Sequence, residues 1–140
     1  HPRVNILTPG PGVGGHCIPV DPWFLFGDYP TLTKVIGESL KVNDSMPEFV
    51  LEKIYAIMKE KGIKDTSRVG LYGLTYKENV DDYRESPAID VIEKLLAAGA
   101  ETEFFDPFIP SFREHGKEYH GIEKIDFFFL IKIYDLSFLK

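Results

Sequence analysis

The sequence predicts an α/β protein in two parts, a helical first part over residues 1–62 and a parallel-sheet second part over residues 63–140. Three observations carry this reading. The first part opens with a short apolar run, Val4 to Leu7, and a Gly/Pro-rich loop, and from Thr31 onward continues with apolar residues at helical spacing. Between Arg68 and Phe105 the second part reads as strand, helix, strand, a βαβ unit of the kind that builds a parallel sheet with helices on its faces. Between the two parts, Lys61-Gly62-Ile63-Lys64-Asp65 breaks both patterns.

Taken in order, the first feature is the Gly/Pro-rich stretch TPGPGVGGHC, Thr8 to Cys17. Gly10, Gly12 and Gly15 satisfy the letters G-x-G-x-x-G, but a dinucleotide loop needs a helix to open at its third glycine. Here Pro19 and Pro22 follow, and each pushes the residue before it toward extended conformations. No helix can start at Gly15, so the stretch is not read as a phosphate cradle. From Thr31 to Val42, Leu32, Val35, Ile36, Ser39 and Leu40 form one stripe of an amphipathic helix. Ser45 and Glu48 spell a capping box with Pro47 inside the first turn, which predicts a second helix starting there. Its apolar face, Val50, Ile54, Ile57 and Met58, runs to Gly62.

In the second part, Arg68 to Gly73 is a short buried strand that runs into a polar loop, Thr75 to Glu85. Ser86 can cap the next helix and Pro87 suits its first position, with Ile89, Ile92, Leu95 and Leu96 as the buried face and Gly99 as the stop. Glu101 to Phe105 is the next strand, closed by Asp106-Pro107. After a looser stretch, Phe127 to Ile133 is another. Ligands of parallel sheets sit at the carboxyl ends of strands. The loop after Gly73 is therefore an expected binding site before any motif is considered.

Composition narrows the function. The 140 residues carry a net charge of -6, against a nucleic-acid surface that neutralises phosphates with Lys and Arg. One cysteine makes no internal disulfide, and four scattered histidines lack zinc-ligand spacing, so no metal is expected and a reducing, cytoplasmic setting is. No run approaches the roughly 20 apolar residues of a membrane span. The start, HPRVNIL, has neither an initiating methionine nor a secretion signal, and the expectation is a piece of a longer chain.

Two readings stand for Cys17. One is a small buried hydrophobe. The other is a nucleophile, since the glycines before it admit another molecule, His16 offers a local cation, and Pro19 and Pro22 stiffen the exit. Asp21, four residues on, is a turn carboxylate or a partner. Lys77 and Arg84, at the strand's carboxyl end, are solvated charges balanced by Glu78, Asp81, Asp82 and Glu85, or single contacts to phosphate.

Two passages, PGPGVGGHCIPVDPWFL (Pro9 to Leu25) and YGLTYKENVDDYRESPAIDV (Tyr72 to Val91), resemble the UDP-glucose/GDP-mannose dehydrogenase family. Val20 stands where the UDP-glucose branch usually carries Lys. The resemblance implies the tail of a central dimerisation domain with the catalytic-cysteine loop, then a Rossmann-like UDP-sugar-binding domain, incomplete at both ends. It also implies an enzyme that oxidises the sugar C6 hydroxyl twice with NAD through a cysteine thiohemiacetal and thioester. By position, Cys17 would be the nucleophile and Asp21 the carboxylate of the hydrolytic step. His1, Arg3, Gly14, Tyr76 and Lys77 would contact the UDP-sugar, Arg84 would face the nicotinamide cofactor, and a homodimer would form through the central domain. The family's cofactor domain and its catalytic Lys and Asn are not in these residues. Its Thr-x-His-x-x-Phe pattern is replaced by Lys132 to Phe138. The chain alone is therefore expected to be inactive, and a standalone nucleotide-sugar-binding or dimerisation module is the alternative.

Overall fold

The structure is a computed structural model that describes residues 10–64 and 68–123 together with the backbone of 130–132. Its elements in chain order are α1 (Asp21–Asp28), α2 (Lys34–Glu60), β1 (Val69–Tyr72), α3 (Pro87–Ala97), β2 (Thr102–Phe105), β3 (Ser111–Glu114), β4 (Lys117–His120) and β5 (Leu130–Lys132).

Sequence pattern did not anticipate α1. It opens with Asp21 and Pro22, an acidic residue and a proline in the turn where both are tolerated. It packs on α2 because Gly37 has no side chain: a Cβ there would overlap the Phe26 ring.

The two helices expected on either side of residue 44 are one continuous α2 of 27 residues. Ser45 is not a cap, since its hydroxyl donates to the Val42 carbonyl inside the helix. Glu48 does not close a capping box either; it accepts from the Lys94 ammonium of α3 at 2.6 Å. Pro47 removes one ladder bond, which in isolation would break the helix. Pro47 itself is buried, and Val50, Leu51, Ile54 and Met58 beyond it lie in the core, so tertiary packing carries the helix through the interruption. The expected stripe of the first half is only partly buried. Leu40 is covered, whereas Val35 is 81% exposed and Leu32, ahead of the helix, is 83% exposed.

Both halves share one core. Val50, Leu51, Ile54 and Met58 of α2 cluster with Val69 and Leu71 of β1, Ile89, Val91, Ile92 and Leu95 of α3, and Phe104 of β2. The predicted cap of α3 forms, with the Ser86 side chain accepting from the Ala88 N–H and Pro87 in the first turn.

The βαβ reading holds. β1 pairs in parallel with β2, Val69 opposite Thr102, and on its other edge with β5, Gly70 opposite Leu130. The strand order β2-β1-β5 makes the chain leave β1 on one side and return on the other, which opens a crevice at the strands' carboxyl ends. The rest of the expected strand from Phe127 to Ile133 lies outside the described residues. The looser stretch before it contains an antiparallel hairpin, β3 with β4. His115 (φ 47°) and Gly116 (φ 75°) both adopt the left-handed conformation that a two-residue hairpin turn requires. Phe112 stacks on Tyr119 at 4.7 Å and meets Phe104 at 5.3 Å, fixing the hairpin to β2.

The crevice loops start from one buried carboxylate. Asp106 Oδ2 accepts from the N–H groups of Leu74 (2.8 Å) and Thr75 (3.3 Å), and Oδ1 from those of Phe108 (2.8 Å) and Ile109 (3.2 Å). Replacing it leaves buried backbone donors unpaired. Asp106→Ala is expected to lower unfolding free energy by about 2–4 kcal/mol and Asp106→Asn, which keeps one acceptor oxygen, by about half that. Urea denaturation measures both, and an Ala variant with the parent's midpoint would refute the assignment.

Candidate functional site

The site is built where the glycine loop of residues 10–20 meets the loop of residues 73–86 that leaves β1. Cys17 is exposed and free, so its reading as a buried hydrophobe does not hold. Its carbonyl accepts from the N–H groups of Val20 (3.0 Å) and Asp21 (2.8 Å). That turn places the thiol-bearing residue directly before α1, with Asp21 one turn away as the first residue of the helix.

The glycines have a role that the sequence left open. At Gly12 (φ 135°) a Cβ would press on the Pro87 ring, at Gly14 on Tyr76 and the Glu85 carbonyl, and at Gly15 (φ 95°) on the Tyr76 ring. The Gly15 N–H donates to the Arg84 carbonyl at 2.9 Å. The partner admitted so closely is thus the chain itself, in its 76–87 segment. On the other flank, the Val13 backbone is held by Asn43 of α2, whose Oδ1 accepts from Val13 N–H at 2.6 Å.

Arg84 is held in place. Its Nε and Nη2 grip Asp82 Oδ1 and Oδ2 at 2.9 and 2.7 Å, a two-pronged pair, and its own N–H also donates to Oδ1 at 3.1 Å. The Arg84 hydrogen bonds hold the Asp82 carboxyl down at about 2. Arg84 Nη2 also lies 3.3 Å from His16 Nδ1. The same His16 nitrogen lies 3.9 Å from Asp82 Oδ2, so the imidazole sits against both members of the pair. His16, Val20, Arg84, Asp90, Glu114 and His115 line a cavity of about 400 Å³ beside this cluster. Lys77 is exposed, and its carbonyl accepts from the Thr75 hydroxyl at 2.9 Å.

The structure therefore brings Gly14, Cys17, Tyr76 and Arg84 to one seam, with Asp21 a turn from the cysteine and Lys77 on the same loop as Tyr76. His1 and Arg3 lie outside the described residues. Three residues that hold the seam or the loops around it went unread in the sequence. Asn43 fell in the short gap expected between two helices, Asp82 looked like one of several loop carboxylates, and Asp106 like a strand-ending turn residue. Asp-Pro after a strand was the one available signal for Asp106.

A nicotinamide dinucleotide does not find its cradle here. Gly15 is followed by a turn, and the next helix, α1, opens on an acidic residue, unlike the helix N-terminus that receives a pyrophosphate.

Residues 70–135 match the UDP binding domain of the UDP-glucose/GDP-mannose dehydrogenase family, and residues 1–45 match that family's central domain. The chain is 52% identical to a UDP-N-acetyl-D-mannosamine dehydrogenase of Methanocaldococcus jannaschii over 112 residues, which is 80% of this chain and 25% of the relative. It is 49% identical over 102 residues to the Campylobacter jejuni enzyme of the same name, 71% of this chain and 24% of that protein. The chain thus spans about a quarter of the length of the curated relatives it matches. Among solved structures, a UDP-D-ManNAc dehydrogenase from Pyrococcus horikoshii superposes with a TM-score of 0.70 at 36% identity, covering 77% of this chain and 26% of its own. The Staphylococcus aureus UDP-N-acetyl-mannosamine dehydrogenase superposes with a TM-score of 0.62 at 44% identity, covering 78% and 26%.

Because the folded carboxyl of Asp82 lies below its ordinary value, the pair stabilises above the usual carboxylate range, and that contribution is lost as pH falls toward about 2. In a carboxyl-resolved NMR titration Asp82 is expected to titrate near 2, and in Arg84→Gln to return toward about 4. An unchanged midpoint in Arg84→Gln would show that the arginine is not the cause.

Proposed function

The chain belongs to the UDP-glucose/GDP-mannose dehydrogenase family, and from that premise we propose that it supplies the thiol and the nucleotide-sugar half of an NAD-dependent UDP-N-acetyl-D-mannosamine 6-dehydrogenase. The observation that carries this reading is the exposed, free Cys17, mounted on a loop that docks against the residues leaving the carboxyl end of β1. The names of the relatives above support the choice of sugar.

In this reading the sugar C6 goes from alcohol to carboxylate in two two-electron oxidations with one water consumed. NAD, when bound, supplies the hydride acceptor for both. Cys17 contributes the covalent hold. Its sulfur adds to the C6 aldehyde to form a thiohemiacetal, remains bonded to C6 in the thioester, and leaves when water attacks. Asp21, a turn away at the start of α1, assists the water. Gly14, Tyr76 and Lys77, with His1 and Arg3, take the UDP-sugar; Lys77 provides a point charge for the diphosphate and Arg84 a contact toward the cofactor. The cofactor's own domain lies outside this chain, so the chain alone does not turn over. A single exposed thiol suits a reducing, cytoplasmic setting. Among the described residues no helix is long and apolar enough to cross a membrane.

A homodimer completes the proposal. Phe24 of α1 (70% exposed), Leu32 ahead of α2, and Val35 and Val42 (61% exposed) of α2 leave apolar surface uncovered, which a second copy would cover. Sedimentation of the chain is expected to show a dimer that a Leu32→Glu, Val35→Glu double variant converts to monomer. A parent that is monomeric at all concentrations would remove this partner.

Calorimetry with UDP tests the nucleotide half. Binding to the 140-residue chain is expected, weakened about tenfold or more in Lys77→Ala, as for a lost charge-assisted contact. With UDP-N-acetylmannosamine and NAD the chain alone should form no NADH, and NADH formation by it would overturn the division of labour. UDP binding together with full uronate formation by a parent enzyme carrying Cys17→Ala would leave a binding module and no nucleophile.

A further inference from the structure

Asn43 sits near the middle of α2, and its side chain is turned to the cysteine loop. Oδ1 accepts from the Val13 N–H at 2.6 Å while Nδ2 donates to the Val13 carbonyl at 3.1 Å. Both backbone groups of one residue are answered by one side chain, the two-bond pattern that a neighbouring strand would give. Chemistry fixes the amide's orientation, because a flipped amide would set donor against donor and acceptor against acceptor.

The location makes this pair consequential. Val13 is 42% exposed and flanked by Gly12 and Gly14, so its main chain is the handle by which the loop is gripped. Pro47, four residues beyond Asn43, has no N–H to return to the Asn43 carbonyl. That carbonyl lies 3.6 Å from the point where a residue at position 12 would carry a Cβ. The helix therefore meets the glycine loop with a side-chain amide and with a carbonyl that Pro47 leaves without its usual helix donor. From the opposite flank the Arg84 carbonyl holds Gly15. Val13 and Gly15 are thus pinned from two directions just ahead of Cys17.

We propose that Asn43 is the positioning residue of the Cys17 loop: its amide, paired with both main-chain groups of Val13, sets where the thiol stands relative to α2. Its catalytic meaning rests on the reading of Cys17 as the nucleophile. The geometry does not, and it can be tested without turnover.

Cys17 is the chain's sole cysteine, so a nitroxide attached there reports on this loop alone. In Asn43→Ala, amide exchange at Val13 should quicken by roughly five- to tenfold, the factor of one net hydrogen bond, and the label should become more mobile. Leu51 and Ile54, in the same helix, should keep their protection. Asn43→Asp retains the acceptor for the Val13 N–H and loses the donor, so Val13 should stay protected while the label becomes intermediate in mobility. Ser45→Ala, which removes only a bond to the Val42 carbonyl of the same helix, should match the parent. Parent-like Val13 exchange and label mobility in Asn43→Ala would overturn the proposal, as would equal loss of protection at Leu51 and Ile54. Should the Ala variant not fold, the near-isosteric Asp variant decides: a label as immobile as in the parent overturns it. A parent enzyme in which Cys17 proves dispensable would remove the nucleophile reading while leaving this clamp intact.

Discussion

The structure depends on the close approach of two backbones, the glycine loop of residues 10–20 and the 73–86 loop at the carboxyl end of β1. That approach requires positions 12, 14 and 15 to be without side chains, because Pro87, Tyr76 and the Glu85 carbonyl occupy the space that Cβ atoms would take. The van der Waals contact then allows the Gly15 to Arg84 hydrogen bond, and it brings His16 to the guanidinium that Asp82 holds. The position of Cys17 follows from this contact. An exposed thiol on a free loop would have no fixed neighbours, whereas here its loop is held between α2 and the segment 76–87.

Two devices prepare the receiving side. The Asp106 carboxylate gathers four backbone N–H groups from the segments after β1 and β2, which fixes where the 73–86 loop begins. At the far end, Ser86 and Pro87 start α3 and define where the loop stops. Between these points Glu85 takes a left-handed conformation (φ 50°), unusual for a residue with a side chain, where its carbonyl meets Gly14. Local backbone cost at such a position is offset by the packing around it.

The long helix α2 links the two regions. Its C-terminal half is part of the core with β1 and α3, while its N-terminal half leaves Val35 and Val42 to solvent. Asn43 stands where the character changes, one turn ahead of the proline, and it gives the helix its grip on the cysteine loop.

Short-range patterns by themselves determined much. The βαβ unit, the Ser86–Pro87 helix start, the polar loop after β1 and the rejection of a dinucleotide helix at Gly15 all follow from periodicity, caps and proline sterics, which act within a few residues. The cysteine motif likewise pointed to the family that residues 1–45 and 70–135 match. What only the tertiary structure decided depends on partners distant in sequence. Pro47 looked like a helix start because a local rule cannot see that burial of Val50, Leu51, Ile54 and Met58 holds the helix across it. The hairpin at His115-Gly116 needed Phe104 to anchor its aromatic pair. The glycines read as positions open to close approach, and that Tyr76 and Pro87, more than sixty positions away, make that approach is decided by the fold alone. Asn43 and Asp106 carried no pattern of their own, because a single polar residue acquires meaning only from the backbone groups that the fold carries to it.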